Sequence, residues 1–183
     1  SVLTKLLSGE QPLSRTQRDA IQMMGEPIAH LSAAARRDRG LAFVPEERLG
    51  RGAAPPLSLA ANAFLTAHRQ GMVGLGLVRQ ARRDSFTDGC SSDLDVRCLG
   101  RLSSADSLSG GNLQKFIVGR EIYTSPKVLV ISQPTWGIDV NAAAMVRQRL
   151  IDLRENGVAI LVVSEELEEL FEISDRLAVM SKG

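Results

Sequence analysis

Two apolar runs in the last third of the chain limit its fold more than any other feature. Val128 to Ile131 and Val158 to Val163 contain no polar residue. A strand with no alternation must be covered on both faces, as strands of a parallel sheet are. Ala142 to Glu155, between them, has the length of a helix, and Asn156-Gly157 would end it. Glu165 to Ser174 reads as a further helix, ahead of a third short strand at Leu177 to Met180. Strand, helix, strand, helix, strand with tight connections predicts parallel strands joined by crossover helices.

The first half is punctuated by turn residues. Val2 to Leu7 reads as the end of an amphipathic helix stopped by Ser8-Gly9, and Ile21 to Ile28 as a small hairpin around Gly25. Gly40 to Val44 is a short strand closed by Pro45, followed by a charged turn, Glu46 to Gly52. Ser58 can cap a helix over Leu59 to Ala67, and Gly71, Gly74 and Gly76 break up a second apolar piece. Leu77 to Cys90 would be another helix with its arginines outward. No strand is expected between Ser58 and Val96, so this region reads as a helical lobe on the sheet. Asn112 to Tyr123 has helical spacing again.

Bulk properties narrow the function classes. The 183 residues suit one domain with an inserted lobe, and 44% hydrophobic residues suffice for a packed core. A net charge of +1 gives no electrostatic drive towards nucleic acid. Arg79, Arg82 and Arg83 form a small basic patch that reads more readily as a solvated helix face than as a binding surface. Cys90 and Cys98 are too few for a disulfide framework or a zinc site, which suits a reducing compartment. No apolar run approaches the roughly 20 residues needed to cross a bilayer, so a membrane would be met through another protein.

The chemistry concentrates in Leu108-Ser109-Gly110-Gly111-Asn112-Leu113-Gln114-Lys115, immediately before a helix. Two glycines let the backbone lie against a ligand, and the helix start offers free amides and a positive dipole end. Ser109 adds a hydroxyl, which completes an anion site suited to phosphate. Taken alone, a Ser-Gly-Gly run is also an ordinary flexible turn.

In order, the LSGGNLQK stretch, the PKVLVISQPT strand, the WGID turn and the VVSEE segment resemble the distal half of an ABC transporter ATPase domain. LSGG resembles the signature motif, FVPEER the Q-loop region, PKVLVISQPT the Walker B segment, WGID the D-loop and VVSEE the switch region. The asparagine form of the signature, the PEER turn and the SEEL ending are most similar to ATPases of simple-sugar and nucleoside importers, in which two ATPase domains are often fused. The resemblance implies an α/β P-loop NTPase (RecA-like) parallel sheet with helices on both faces and an inserted α-helical subdomain. Residues 1–47 and 103–183 would be the core, truncated before residue 1, and 48–102 the subdomain. It further implies a peripheral protein on the cytoplasmic face of the cell membrane that couples ATP to solute uptake. Its partners would be transmembrane permease subunits and either the N-terminal ATPase domain of the same polypeptide or a second ATPase subunit. Ser109, Gly110, Gly111, Asn112 and Gln114 would contact nucleotide held by that partner lobe, with Glu46 and Asp139 nearby. Asp139 could equally be a plain helix cap.

The sequence departs from that pattern at catalytic positions. No GxxxxGK[ST] loop is present, and its expected place is just upstream of residue 1. Ser1 would align with the magnesium-binding hydroxyl of that loop, or is a cloning remnant. ATP and Mg2+ are expected in the full-length protein, and none bound to this fragment alone. Ser132 stands where the family has the magnesium-holding aspartate, and Gln133 replaces the general-base glutamate, a loss of about 10² to 10⁴ in rate. Glu165 falls at the switch-histidine position, where a carboxylate would repel a γ-phosphate. The implied assembly is asymmetric, with the signature intact and the chain's own hydrolytic positions impaired. A non-catalytic regulatory or scaffold role is the alternative.

Overall fold

The computed structural model describes residues 2–180. In chain order the elements begin with helix α1 (Val2–Ser8), a 3₁₀ segment (Arg15–Ala20), hairpin strands β1 (Gln22–Met23) and β2 (Glu26–Pro27), helix α2 (Ala33–Asp38) and strand β3 (Leu41–Val44). Helix α3 (Leu59–Ala67), hairpin strands β4 (Val73–Gly74) and β5 (Leu77–Val78) and helix α4 (Gln80–Asp93) follow. After a 3₁₀ turn (Ala105–Ser107) come helix α5 (Gly110–Ile122), strand β6 (Val128–Ser132), helix α6 (Val140–Glu155), strand β7 (Ala159–Val163) and helix α7 (Leu167–Ile173).

The sheet is parallel in the order β3-β6-β7, with Leu41 beside Val128 and Val128 beside Ala159. Successive strand residues face opposite sides, and each side meets its own cover. Ala42, Val44, Leu129 and Ile131 enter a core shared with α3, α4, α5 and α6. Leu41, Phe43 and Val130 enter a second core with Met23 and Ile28 of the first hairpin, and Leu7 of α1 packs against it.

Four expectations change. Val158 to Val163 is an edge strand rather than a buried one: Ala159 and Leu161 are exposed, because only β6 bonds to it among the described residues. Leu177 to Met180 forms no strand and leaves the open edge of β7 unpaired, and Leu177, Val179 and Met180 are exposed. A groove of about 580 Å³ is lined by both segments. The lobe does contain strands, since Leu75 and Gly76 both take positive φ and turn β4 back onto β5. That hairpin consumes Leu77 and Val78, so α4 starts three residues later than its apolar pattern suggests.

Helix α5 is the hub. Every residue from Leu113 to Glu121 is buried, and α3, α4, α6 and β3 pack on it. Close approach to α4 needs Gly119: a Cβ there would stand 2.7 Å from the Cys90 carbonyl oxygen. Burial also pushes the Cys90 thiol up to about 12. Two charges are drawn in with the helix. Glu121 accepts from Arg37 Nη1 at 2.7 Å and from Arg120 Nε at 3.1 Å. Arg120 also donates to the Gly52 carbonyl at 2.8 Å and reaches the Asn62 carbonyl at 3.4 Å. Burial alone raises the Glu121 carboxyl, but Arg37 and Arg120 outweigh it and leave it below the ordinary value. Asn62, fully buried in α3, ties down the Pro55-Pro56 loop by bonds to Ala54, Leu57 and Ser58.

Gly119→Ala should destabilise the chain by about 1–3 kcal/mol despite alanine's better helix propensity, because the opposing atom is backbone. A lowered denaturant midpoint is the readout. Glu121→Gln strands the buried Arg120 and the half-buried Arg37 and should cost about 3–5 kcal/mol at neutral pH. Because the folded pKa of Glu121 is depressed, its contribution is present above the unfolded value near 4.3 and lost as pH falls through the folded one. Melts from neutral to acid pH should show that limb in the parent chain and a flatter one in the variant.

Candidate functional site

The motif at the start of α5 lies further into the helix than its spacing suggests. α5 begins at Gly110, so both glycines occupy its first turn. Ser109 is extended (φ −60°, ψ 153°), and its Oγ accepts from the Asn112 amide at 3.4 Å and from Asn112 Nδ2 at 3.0 Å. Asn112 Oδ1 in turn accepts from the Arg97 amide at 2.9 Å. The amides of Gly110 and Gly111 have no acceptor within the helix, and they sit at its positive end. A Cβ on Gly110 would stand 3.0 Å from an Arg48 guanidinium nitrogen. One on Gly111 would meet only Ile138, at an ordinary 3.7 Å. The chain's own packing therefore does not demand glycine at 111, although glycine costs a helix about 1 kcal/mol against alanine. What the absent side chain provides is access from outside the helix.

A second helix start faces the same space. Asp139 caps α6, accepting from the Ala142 amide at 2.9 Å. That hydrogen bond chiefly holds its carboxyl below the usual carboxylate range; burial works the other way and Lys115 helps a little. Ser109, Gly111, Asn112, Lys115, Asp139 and Asn141 line a groove of about 420 Å³. The Lys115 ammonium is engaged by Asp95, donating to its carbonyl and lying 3.8 Å from its carboxylate. The groove offers the Gly111 amide and the Ser109 hydroxyl, donors suited to a phosphate oxygen, beside the carboxylate residues Asp95 and Asp139.

Gln114 lies beneath this groove, not in it. It is buried, and its Nε2 donates to the Pro134 carbonyl at 3.0 Å and reaches that of Gln133 at 3.4 Å. Its Oε1 accepts from Arg48 Nε at 3.1 Å. Arg48 also donates to the Gly110 carbonyl at 3.2 Å and to the Trp136 carbonyl. One arginine thus joins the Glu46–Gly52 turn, the start of α5 and the loop before α6.

The end of β6 forms a separate set. Ser132 is buried and its Oγ has no hydrogen-bond partner among the described residues. Gln133 is buried at φ 49°, and its amide donates to the Val163 carbonyl at 2.8 Å. Its Oε1 lies 3.3 Å from Ser164 Oγ, which also lies 3.0 Å from buried Glu169 Oε2. No cluster of three or more His, Cys, Asp or Glu able to hold a metal occurs among the described residues. Ser132 and Gln133, a hydroxyl and a carboxamide, are weak ligands for Mg2+, which favours carboxylate and phosphate oxygens, so these two do not fit the ion; the one carboxylate of the set is the buried Glu169.

Of the residues singled out from the sequence, Ser109, Gly111, Asn112 and Asp139 share one groove, and Gly110 lies between two of them without lining it. Ser132 and Gln133 lie together at the strand end, linked to the groove through Gln114. Glu46 and Glu165 are exposed, and neither side chain has a hydrogen bond or ion pair among the described residues. Ser1 lies outside the described residues. Sequence reasoning missed the roles of Arg48, Ser164 and Glu169. Arg48 was visible only as a neighbour of Glu46, and its link to Gln114 spans 66 positions.

Arg48→Ala should speed amide exchange across 109–113 and 134–138 while lowering global stability by only about 1–3 kcal/mol. Hydrogen–deuterium exchange by mass spectrometry reads the local effect, and a urea melt the global one.

No family model matches the chain. Among curated proteins it is 35% identical over 181 residues to the nucleoside import ATP-binding protein NupA of Lactococcus lactis subsp. cremoris, covering 98% of this chain and 36% of that protein. It is 32% identical to the guanosine import ATP-binding protein NupO of Bacillus subtilis, with the same coverage. It is 35% identical over 163 residues to the galactose/methyl galactoside import ATP-binding protein MglA of Escherichia coli, covering 89% of the chain and 32% of that protein. The chain thus spans about a third of the length of these relatives. Among solved structures, the dimeric ATP-binding cassette MJ0796 bound to ADP and Pi in a post-hydrolysis state matches with a TM-score of 0.72 at 16% identity, covering 92% of this chain and 70% of that one. The chain has the α/β fold of an ATP-binding cassette.

Proposed function

We propose that this chain is the distal part of an importer's ATP-binding subunit, serving a sugar- or nucleoside-like solute, and that it lends its Ser109–Asn112 turn to a nucleotide carried by another ATPase lobe. The observation that carries the reading is the start of α5: two glycine amides without intrahelical acceptors, a serine hydroxyl beside them, and a Gly111 that the chain's own packing does not require. The importer relatives named above support the solute class.

In this reading ATP supplies the phosphates and Mg2+ neutralises them, both held mainly by the partner lobe. The Ser109 hydroxyl and the amides of Gly110 and Gly111 stabilise negative charge on the γ-phosphate. Arg48 and Gln114 hold that turn against the loop before α6. The chain's own hydrolytic positions are impaired, since Ser132 and Gln133 carry no charge and Gln133 can orient water without taking its proton. Glu165 adds a repulsive carboxylate at the switch position. Glu46, exposed on its turn, is free to contact a membrane partner or a magnesium-bound water. Residues 1–47 and 103–183 act as the ATPase core and 48–102 as the helical subdomain that docks on permease subunits at the cytoplasmic side. No helix of the described residues is long and apolar enough to cross a membrane. The weak donor set at Ser132 and Gln133 favours a second reading, a non-catalytic regulatory module. The open glycine turn weighs against it.

Ser109→Arg in the full-length protein should abolish transport-coupled ATPase activity, whereas Gln133→Ala should change it by less than about twofold. Steady-state hydrolysis and solute uptake measured together provide the test. Equal loss from both substitutions overturns the asymmetry, and no loss from Ser109→Arg overturns the role of the turn.

A further inference from the structure

The β4–β5 hairpin makes no sense as part of this chain's own packing. Its two-residue turn, Leu75-Gly76, has φ of 52° and 76°, the pattern that asks for Asn-Gly or Gly-Gly. A leucine stands there instead, strained by its backbone and fully exposed at 103%. Leu77 (73%), Val73 and Val78 (both 44%) are exposed beside it. Val73 pairs with Val78, and Leu77 with Gly74, so apolar side chains occupy both faces of the ribbon as well as its tip. The root is firmly set: Met72 is buried, and the Arg79 amide donates to its carbonyl at 2.7 Å.

Cations flank that root. The Arg79 guanidinium lies over Gly74, and that of Arg82 lies against Gly71. Both residues are exposed, and neither guanidinium has an ion pair or hydrogen bond among the described residues. Two carboxylates of α4 are already engaged, Asp84 by Arg83 and Arg101, and Asp88 by Arg101.

We propose that this hairpin seats in the anionic headgroup layer of a bilayer, its apolar tip below and Arg79 and Arg82 on the phosphates. A protein surface would cover one face of a ribbon, whereas a lipid layer surrounds the tip on all sides, as both apolar faces require. Arginines a few residues behind an apolar tip meet headgroup charge as it enters. This element is separate from the Ser109 groove, so its failure would leave the nucleotide reading untouched.

Sedimentation of this chain with phosphatidylglycerol–phosphatidylcholine vesicles, against pure phosphatidylcholine vesicles, tests the assignment. The parent chain should bind the anionic vesicles preferentially. The double variant Leu75→Ser/Leu77→Ser should lose about tenfold in affinity for them. Arg79→Gln/Arg82→Gln should lose about tenfold as well and no longer prefer them. All four side chains are exposed, so unchanged thermal melts confirm that the variants fold. No preference by the parent chain, or parental binding by the leucine variant, overturns the proposal. So does parental vesicle binding by both variants when the same changes in the full-length protein prevent co-purification with permease subunits, because the hairpin would then be a protein contact.

Discussion

A helix buried on every side must take its polar residues inside with it, and most of this structure is arranged around that constraint. α5 carries Arg120 and Glu121 into a region with no water to solvate them. An unpaired charge there would be prohibitive, so neighbouring elements supply partners: α2 through Arg37, the Gly52 turn through its carbonyl, and α3 through the Asn62 carbonyl. The pairing brings four separate stretches of chain to one point. It also sets where the lobe joins the sheet, since Gly52 and Asn62 lie on the lobe side and Arg37 precedes β3.

The two ends of α5 have contrasting environments. Its C-terminal half is locked by charge and by the glycine contact with α4, while its first turn opens on a groove with its amides unspent. Arg48 and Gln114 connect these conditions, holding the open end to the loop that follows β6. A phosphate-binding turn needs fixed amides, because a donor that must reorganise when charge develops contributes little. Rigidity in the buried part of the helix is therefore what makes its exposed end useful.

Much of this was legible in the sequence. The strands β3 and β6, helices α3 and α6 and the cap at Ser58 followed from apolar period and turn residues. That Ser109 to Asn112 opens a helix was legible from a capping serine followed by two glycines, although such a run alone is as readily a flexible turn. The edge position of β7 was not, because an apolar run reports what a strand could bury, not how many neighbours it has. The β4–β5 hairpin was hidden by Leu75, a residue that turn chemistry argues against. Arg48, Arg120 and Glu121 looked like ordinary polar helix and loop residues, and Gln114, expected at a nucleotide, is buried against the Pro134 carbonyl instead. Their roles depend on contacts between stretches far apart in the chain, which no local pattern encodes.

The uncovered side of β7 carries a consequence for how the molecule behaves in company. Its outward carbonyls and amides, set above a channel of leucine, valine and isoleucine, will zip onto whichever polypeptide first lies alongside. When that polypeptide belongs to the same fold, the seam closes and the sheet gains a member. When it is another copy, the same seam becomes a glue line, so crowding turns an architectural vacancy into a route to clumping.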